Sequence, residues 1–130
     1  MSKQLNELAR ITQIVLDAEL AQMQGHSQKV NALEAKIAAL KRERNALTTQ
    51  TQTQDESDTA MILGLDRKWQ AWAQLEQAKL NRELAAATAL LEAQREKTRV
   101  AFGRAEAVKN MQAKQEAQSQ QKMTARHYAS

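Results

Sequence analysis

Two stretches of this chain place hydrophobic residues at steps of three and four, and a fully polar segment separates them. In the first stretch, nine of the thirteen positions at this spacing are apolar. This predicted first seam contains Leu5, Leu8, Thr12, Val15, Glu19, Met23, His26, Val30, Leu33, Ile37, Leu40, Arg44 and Leu47. The alternation fails only from Val15 through Glu19 to Met23, where two steps of four predict a stutter.

The second stretch repeats the pattern, with eleven of fourteen positions apolar. This predicted second seam contains Ile62, Leu65, Trp69, Trp72, Glu76, Leu80, Leu84, Ala87, Leu91, Gln94, Thr98, Ala101, Ala105 and Val108. Between the two seams, residues 48–58 contain no hydrophobic side chain. Because Thr is a poor helix former and Asp and Ser favour caps, one helix should stop here and another begin.

These features predict an all-α fold: an antiparallel two-helix coiled-coil hairpin with a longer, protruding C-terminal helix. We expect the hairpin to occupy residues 1–111, with helices at 3–48 and 58–111 joined by a polar turn at 49–57. Pairing the helices about residue 54 places Leu5 near Arg104. The seam positions after Met111 are polar, so residues 112–130 are expected to form a frayed or disordered polar tail.

The composition argues against catalysis, metal binding and membrane insertion. A two-helix rod offers no concave pocket, and the sequence contains neither a cysteine nor a glycine-rich phosphate loop. Neither His26 nor His127 lies in a cluster at metal-ligand spacing. No apolar run approaches the roughly 20 residues that span a bilayer, and the N-terminal residues are too polar for a signal peptide. We therefore expect a cytoplasmic, non-enzymatic protein with no cofactor and no small-molecule substrate.

Apolar residues outside the predicted seams suggest a protein partner. A two-helix seam needs only a narrow stripe, and surplus apolar surface usually marks a partner site or a further helix. Dimerisation of the hairpin into four helices explains the surplus equally well. The candidate partner-binding residues are Ile11, Ile14, Leu16, Leu20, Val100 and Phe102, with basic flanks at Arg95, Arg99 and Arg104.

Trp69 and Trp72 are the two largest apolar groups of the chain. Both fall on the predicted second seam, which favours packing within the hairpin against Ile37 and Leu40. The alternative is that they anchor a partner at the tip of the hairpin.

The net charge of +4 is concentrated near the C terminus. Residues 1–94 carry 11 basic and 12 acidic side chains, whereas residues 95–130 carry 8 and 3. Because acidic residues are interspersed, a solvated helix face explains this surplus better than nucleic-acid binding does. The corresponding alternative function is binding of an anionic surface or a nucleic acid through residues 95–130.

The overall layout, and in the second helix the segment WQAWAQLEQAKLNRELAAATALLEAQREKTRVAFGRAEAVKNM, resembles the FliJ family of flagellar export proteins and their YscO-type counterparts in injectisomes. The resemblance implies a stalk or adaptor of a type III export apparatus, similar to the γ subunit of rotary ATPases. It also implies that the paired terminal ends bind a hexameric export ATPase, while the hairpin tip faces the membrane export gate. The alternative from another class is a scaffold that self-associates as a homo-oligomer.

Overall fold

The computed structural model describes the backbone of residues 2–51 and 59–129, and the side chains of residues 3–49 and 63–129. It contains two helices, α1 (Ser2–Thr51) and α2 (Thr59–Ala129), that pack against each other as a helical hairpin. The described residues contain no strand. The all-helical prediction is therefore confirmed. Residues 52–58, most of the predicted polar turn, lie outside the described residues.

Both helices are longer than predicted. The first ends at Thr51 rather than 48, and the second continues to Ala129, well beyond residue 111. Ala, Gln, Lys and Glu dominate this last stretch, and such residues form helix without having to bury a side chain. The chain also has no proline, and its glycines keep ordinary helical φ angles, so nothing local interrupts either helix.

The chain divides into two compact units: unit 1 contains residues 1–25 and 92–130, and unit 2 contains residues 26–91. In unit 2 the buried apolar side chains are Val30, Leu33, Ile37 and Leu40 from α1, and Ala73, Leu80, Ala87 and Leu91 from α2. In unit 1 they are Leu16 from α1, and Ala101, Ala105 and Val108 from α2. Leu16, Ala101 and Ala105 form one contacting cluster. Each unit therefore has its own narrow core between the two helices.

The buried and half-buried positions of α1 in unit 1 differ from the predicted first seam. Leu16 is 6% exposed, whereas Val15 is 43% exposed. Ala9 is likewise half-buried where the prediction chose Leu8. With these corrections the positions alternate regularly: Leu5, Ala9, Thr12, Leu16, Glu19 and Met23. The predicted stutter is therefore wrong, because Leu8 and Val15 were chosen where the following residue, Ala9 or Leu16, faces α2.

A similar correction applies to α2 in unit 2. Ala73 is fully buried, whereas its neighbour Trp72 is 52% exposed, so the seam position predicted for Trp72 is wrong. Leu65 is also largely exposed. The physical reason is the space between the helices: the small side chain of Ala73 lets the two backbones approach closely, whereas an indole at this position would hold them apart. From Ala87 to Val108, by contrast, every predicted seam position is buried.

The helices pair in a different register from the one predicted. In unit 1, Gln112 donates from Nε2 to Asn6 Oδ1 over 2.8 Å, so Leu5 does not lie beside Arg104. In unit 2, Arg44 bonds Gln70 at 3.0 Å and Gln77 at 2.7 Å, again farther along α2 than pairing about residue 54 allows. The difference is about one heptad. A slip of one heptad leaves every seam position facing the other helix, so hydrophobic spacing alone does not distinguish the registers.

Candidate protein-interaction surfaces

In unit 1, α1 exposes apolar side chains on one side of its seam. Leu8, Ile11 and Val15 each directly precede a seam residue, namely Ala9, Thr12 and Leu16. Their spacing of three and four places them along one line of the helix. All three are more than 40% exposed. Ile14 is also exposed and adjoins this line, three residues after Ile11.

The other helix of unit 1 has a matching line. Val100 and Met111 are exposed and also directly precede seam positions, Ala101 and Gln112. Viewed from its own N terminus, each helix places these residues anticlockwise of its seam. Because the helices run in opposite directions, the two lines face the same side of unit 1. We call this surface the unit 1 flank; its apolar residues are Leu8, Ile11, Val15, Val100 and Met111, and its basic residues are Lys97 and Arg104.

Five of the predicted partner-binding residues do not lie on the unit 1 flank. Leu20 and Phe102 are exposed, but each directly follows a seam residue, and the same geometry places them on the opposite side. Arg95 and Arg99 also follow seam residues. Leu16 is buried in the core, so its predicted position outside the seam is wrong. Ile11, Val100 and Arg104 lie together on the flank, and Ile14 is at its edge.

The basic residues opposite the flank are engaged in exposed ion pairs within α2. Arg95 lies 2.7 Å from Glu92, and Arg99 lies 2.6 Å from Glu96. The hydrogen bond from Arg99, followed by its positive charge, lowers the pKa of Glu96 below its usual value. Arg104 has no ion pair among the described side chains, so its charge is free to face a partner at the unit 1 flank.

A polar layer interrupts the core of unit 1. Gln94 and Thr98 are buried, and Gln94 Nε2 donates to the backbone carbonyl oxygen of Glu19 at 3.2 Å and to its carboxylate. Thr98 Oγ1 donates to Gln94 O at 2.9 Å and contacts Glu19 O at 3.3 Å. The sequence indicates polar seam positions here, but it does not indicate which side chains bond across the helices. Because these hydrogen bonds form only when Gln94 and Thr98 lie beside Glu19, the polar layer favours one register of the two helices.

In unit 2, Trp69 is half-buried and Trp72 is exposed, with their ring centroids 6.3 Å apart and tilted by 44°. Three leucines in the same part of α2 are also exposed: Leu63, Leu65 and Leu75. Trp69 thus contributes to packing within the hairpin, while Trp72 presents much of its indole to solvent. The prediction that both tryptophans pack in the seam is wrong for Trp72 and holds only in part for Trp69, which is half-buried.

The described residues contain no group of three or more His, Cys, Asp or Glu side chains arranged to hold a metal ion. The grooves in unit 1 and unit 2 are open and lined mostly by polar side chains; one of them lies among Asn6, Gln112, Gln115, Glu116, Gln118, Ser119 and Lys122. Among the described helices, neither is apolar enough over a sufficient length to cross a membrane.

Comparison with protein-family models, curated proteins and solved structures gives no match to this chain.

Proposed function

We propose that this chain is a non-catalytic, coiled-coil stalk or adaptor that binds a partner protein through the unit 1 flank. The supporting observation is the line of exposed apolar side chains that each helix contributes to that one side. Isolated exposed leucines are common on protein surfaces, but a contiguous apolar patch on a paired helix face is typical of an interface. The alternating spacing of three and four also matches the surface that a further helix packs against.

The proposed partner is the hexameric ATPase of a type III export apparatus, with the membrane export gate as a second partner and the cytoplasm as the location. The FliJ-type resemblance supports this choice, since it assigns ATPase binding to the terminal ends, and unit 1 contains both. Arg104 and Lys97 precede seam residues and so lie on the unit 1 flank. These two cations suit a partner surface with carboxylates around an apolar centre.

ATP turnover by a cognate export ATPase tests this proposal. A stalk that binds the assembled hexamer better than its subunits favours assembly, so wild-type protein should raise turnover. Ile11→Ser/Ile14→Ser should weaken the stimulation and leave helicity intact, because both side chains are exposed. Leu20→Ser/Phe102→Ser, which alters equally exposed residues on the opposite side, is the matched control. Equal stimulation by all three proteins would contradict the role of the flank.

A self-associating scaffold is the second candidate function, and the same spacing of three and four favours it. Two hairpins that face each other through their unit 1 flanks would form a four-helix bundle. Light scattering coupled to gel filtration distinguishes the candidates. A stable dimer that Ile11→Ser/Ile14→Ser converts to a monomer, together with no effect on any export ATPase, would support the scaffold instead of the stalk.

A further inference from the structure

We propose that an exposed side of α2 in unit 2 binds an anionic lipid surface. A single line of residues follows this face at alternating steps of three and four: Leu65, Lys68, Trp72, Leu75, Lys79 and Arg82. All six side chains are exposed. We call this line the outer stripe. None of its members occupies an observed seam position, and all stay exposed; Lys79 lines an open groove with Lys36 and Glu43 of α1.

The outer stripe exposes unusually large apolar groups for a helix of this polarity. Leu65 is 63% exposed, Trp72 is 52% exposed and Leu75 is 73% exposed. Packing within the hairpin therefore does not account for them. Trp72 lies against Trp69, whose half-buried ring limits the orientations open to the exposed indole. Tryptophan is enriched where apolar and aqueous phases meet, because its ring is largely apolar while its N–H seeks a polar partner.

The charge of the outer stripe is entirely positive. Lys68, Lys79 and Arg82 are interspersed with the apolar residues, and no acidic residue lies on the line itself, although Glu43, Glu76 and Glu83 line the groove beside Lys79. None of these three cations forms an ion pair among the described side chains. Long basic side chains can lay their methylene groups along an apolar surface while the charged end stays in a polar layer. The stripe thus combines shallow apolar insertion with charge complementarity to phosphate headgroups.

The arrangement suits a lipid surface better than a protein partner. The cores of protein interfaces are depleted of lysine, and burying three cations in line with Trp72 would require an acidic partner for each. On an anionic bilayer, phosphate groups cover the surface, so each basic side chain of the stripe can contact one. The stripe is also convex and extends about 26 Å from Leu65 to Arg82, long enough to contact several lipid headgroups.

Tryptophan fluorescence of the full chain measures this binding directly. In a Trp69→Phe background, Trp72 is the sole tryptophan. Vesicles of 70% phosphatidylcholine and 30% phosphatidylglycerol should shift its emission to the blue and protect it from acrylamide, whereas pure phosphatidylcholine vesicles should bind much more weakly. Lys68→Gln/Lys79→Gln should reduce the affinity for the anionic vesicles at least tenfold, and raising the salt from 0.05 to 0.5 M should weaken it similarly.

Leu63→Ser is the matched control, since Leu63 is exposed on the same helix but lies nine residues before Trp72, which places it on the opposite side of α2; its affinity should stay within twofold. The proposal is overturned if millimolar anionic lipid leaves Trp72 unchanged, if both vesicle types bind equally, or if the lysine variant binds as well as its parent. A response to soluble polyglutamate but not to vesicles would assign the stripe to an acidic protein. Ile11→Ser/Ile14→Ser should bind vesicles normally, so this proposal and the proposed function can fail independently.

Discussion

Gln94 of α2 donates its side-chain amide across the helix pair to the backbone carbonyl oxygen of Glu19 in α1, over 3.2 Å. Gln94 is buried, so this amide would otherwise lose its hydrogen bonds to water without replacement. A slip of one heptad would keep apolar residues facing each other but would place Gln94 beside a different turn of α1. The bond therefore contributes specificity of register beyond what the apolar seam supplies.

The register can be tested with pairs of engineered cysteines, because the chain has none of its own. We expect Leu16→Cys/Ala101→Cys to oxidise to an intramolecular disulfide, since both residues belong to one contacting cluster. Leu16→Cys/Val108→Cys and Leu16→Cys/Gln94→Cys shift the partner by one heptad, about 10 Å along the helix, and should not. Non-reducing electrophoresis separates the products. Faster oxidation of either shifted pair would show that the helices adopt another register in solution.

The sequence predicts the fold class well because hydrophobic spacing and the absence of proline act over many residues at once. Between Ala87 and Val108 it also predicts each buried position. It fails at Leu16 and Ala73, where the preceding hydrophobic residue, Val15 or Trp72, is the one that faces solvent. Which residue faces the partner helix depends on how closely the backbones approach. That distance is a property of the pair of helices and cannot be obtained from either sequence stretch alone.

The same reasoning applies to the candidate site. Ile11 and Val100 were identified from the sequence, and both remain exposed. Their grouping on one side, with Phe102 and Leu20 on the other, depends on the corrected seam. A seam through Val15 would have placed that residue in the core and removed it from the flank. An error of one residue in the seam thus changes which side of the hairpin carries the apolar surface.

Asp66 should be a source of instability in unit 2. One of its carboxylate oxygens is shielded from solvent and has no hydrogen-bond partner among the described residues. Replacing an unsatisfied buried polar group with an apolar side chain removes a penalty of about 1–3 kcal/mol. We therefore expect Asp66→Leu to raise the thermal midpoint by several degrees. Glu83→Leu, an exposed acidic position on the same helix, should change it by only a degree or two; a lower midpoint for Asp66→Leu would contradict this explanation.

The C-terminal part of α2 should contribute helix but little stability. Every described side chain from 116 to 129 is exposed. Deleting residues 116–130 should therefore leave the thermal midpoint within a few degrees while reducing the helical circular dichroism signal. Leu33→Asp, which places a charge at a buried position of unit 2, should instead lower the midpoint sharply. A large loss of stability on truncation would show that these residues pack against a surface.

Hydrogen–deuterium exchange of the chain, alone and with a cognate export ATPase, tests most directly whether the unit 1 flank is the partner site. A bound partner slows exchange where it covers the helix or suppresses local opening. The flank predicts protection in peptides covering residues 8–15 and 100–111, and no change in peptides covering residues 65–82. The Ile11→Ser/Ile14→Ser protein should lose the protection of residues 8–15. Protection confined to residues 65–82, or no protection at concentrations where the ATPase is active, would contradict the account.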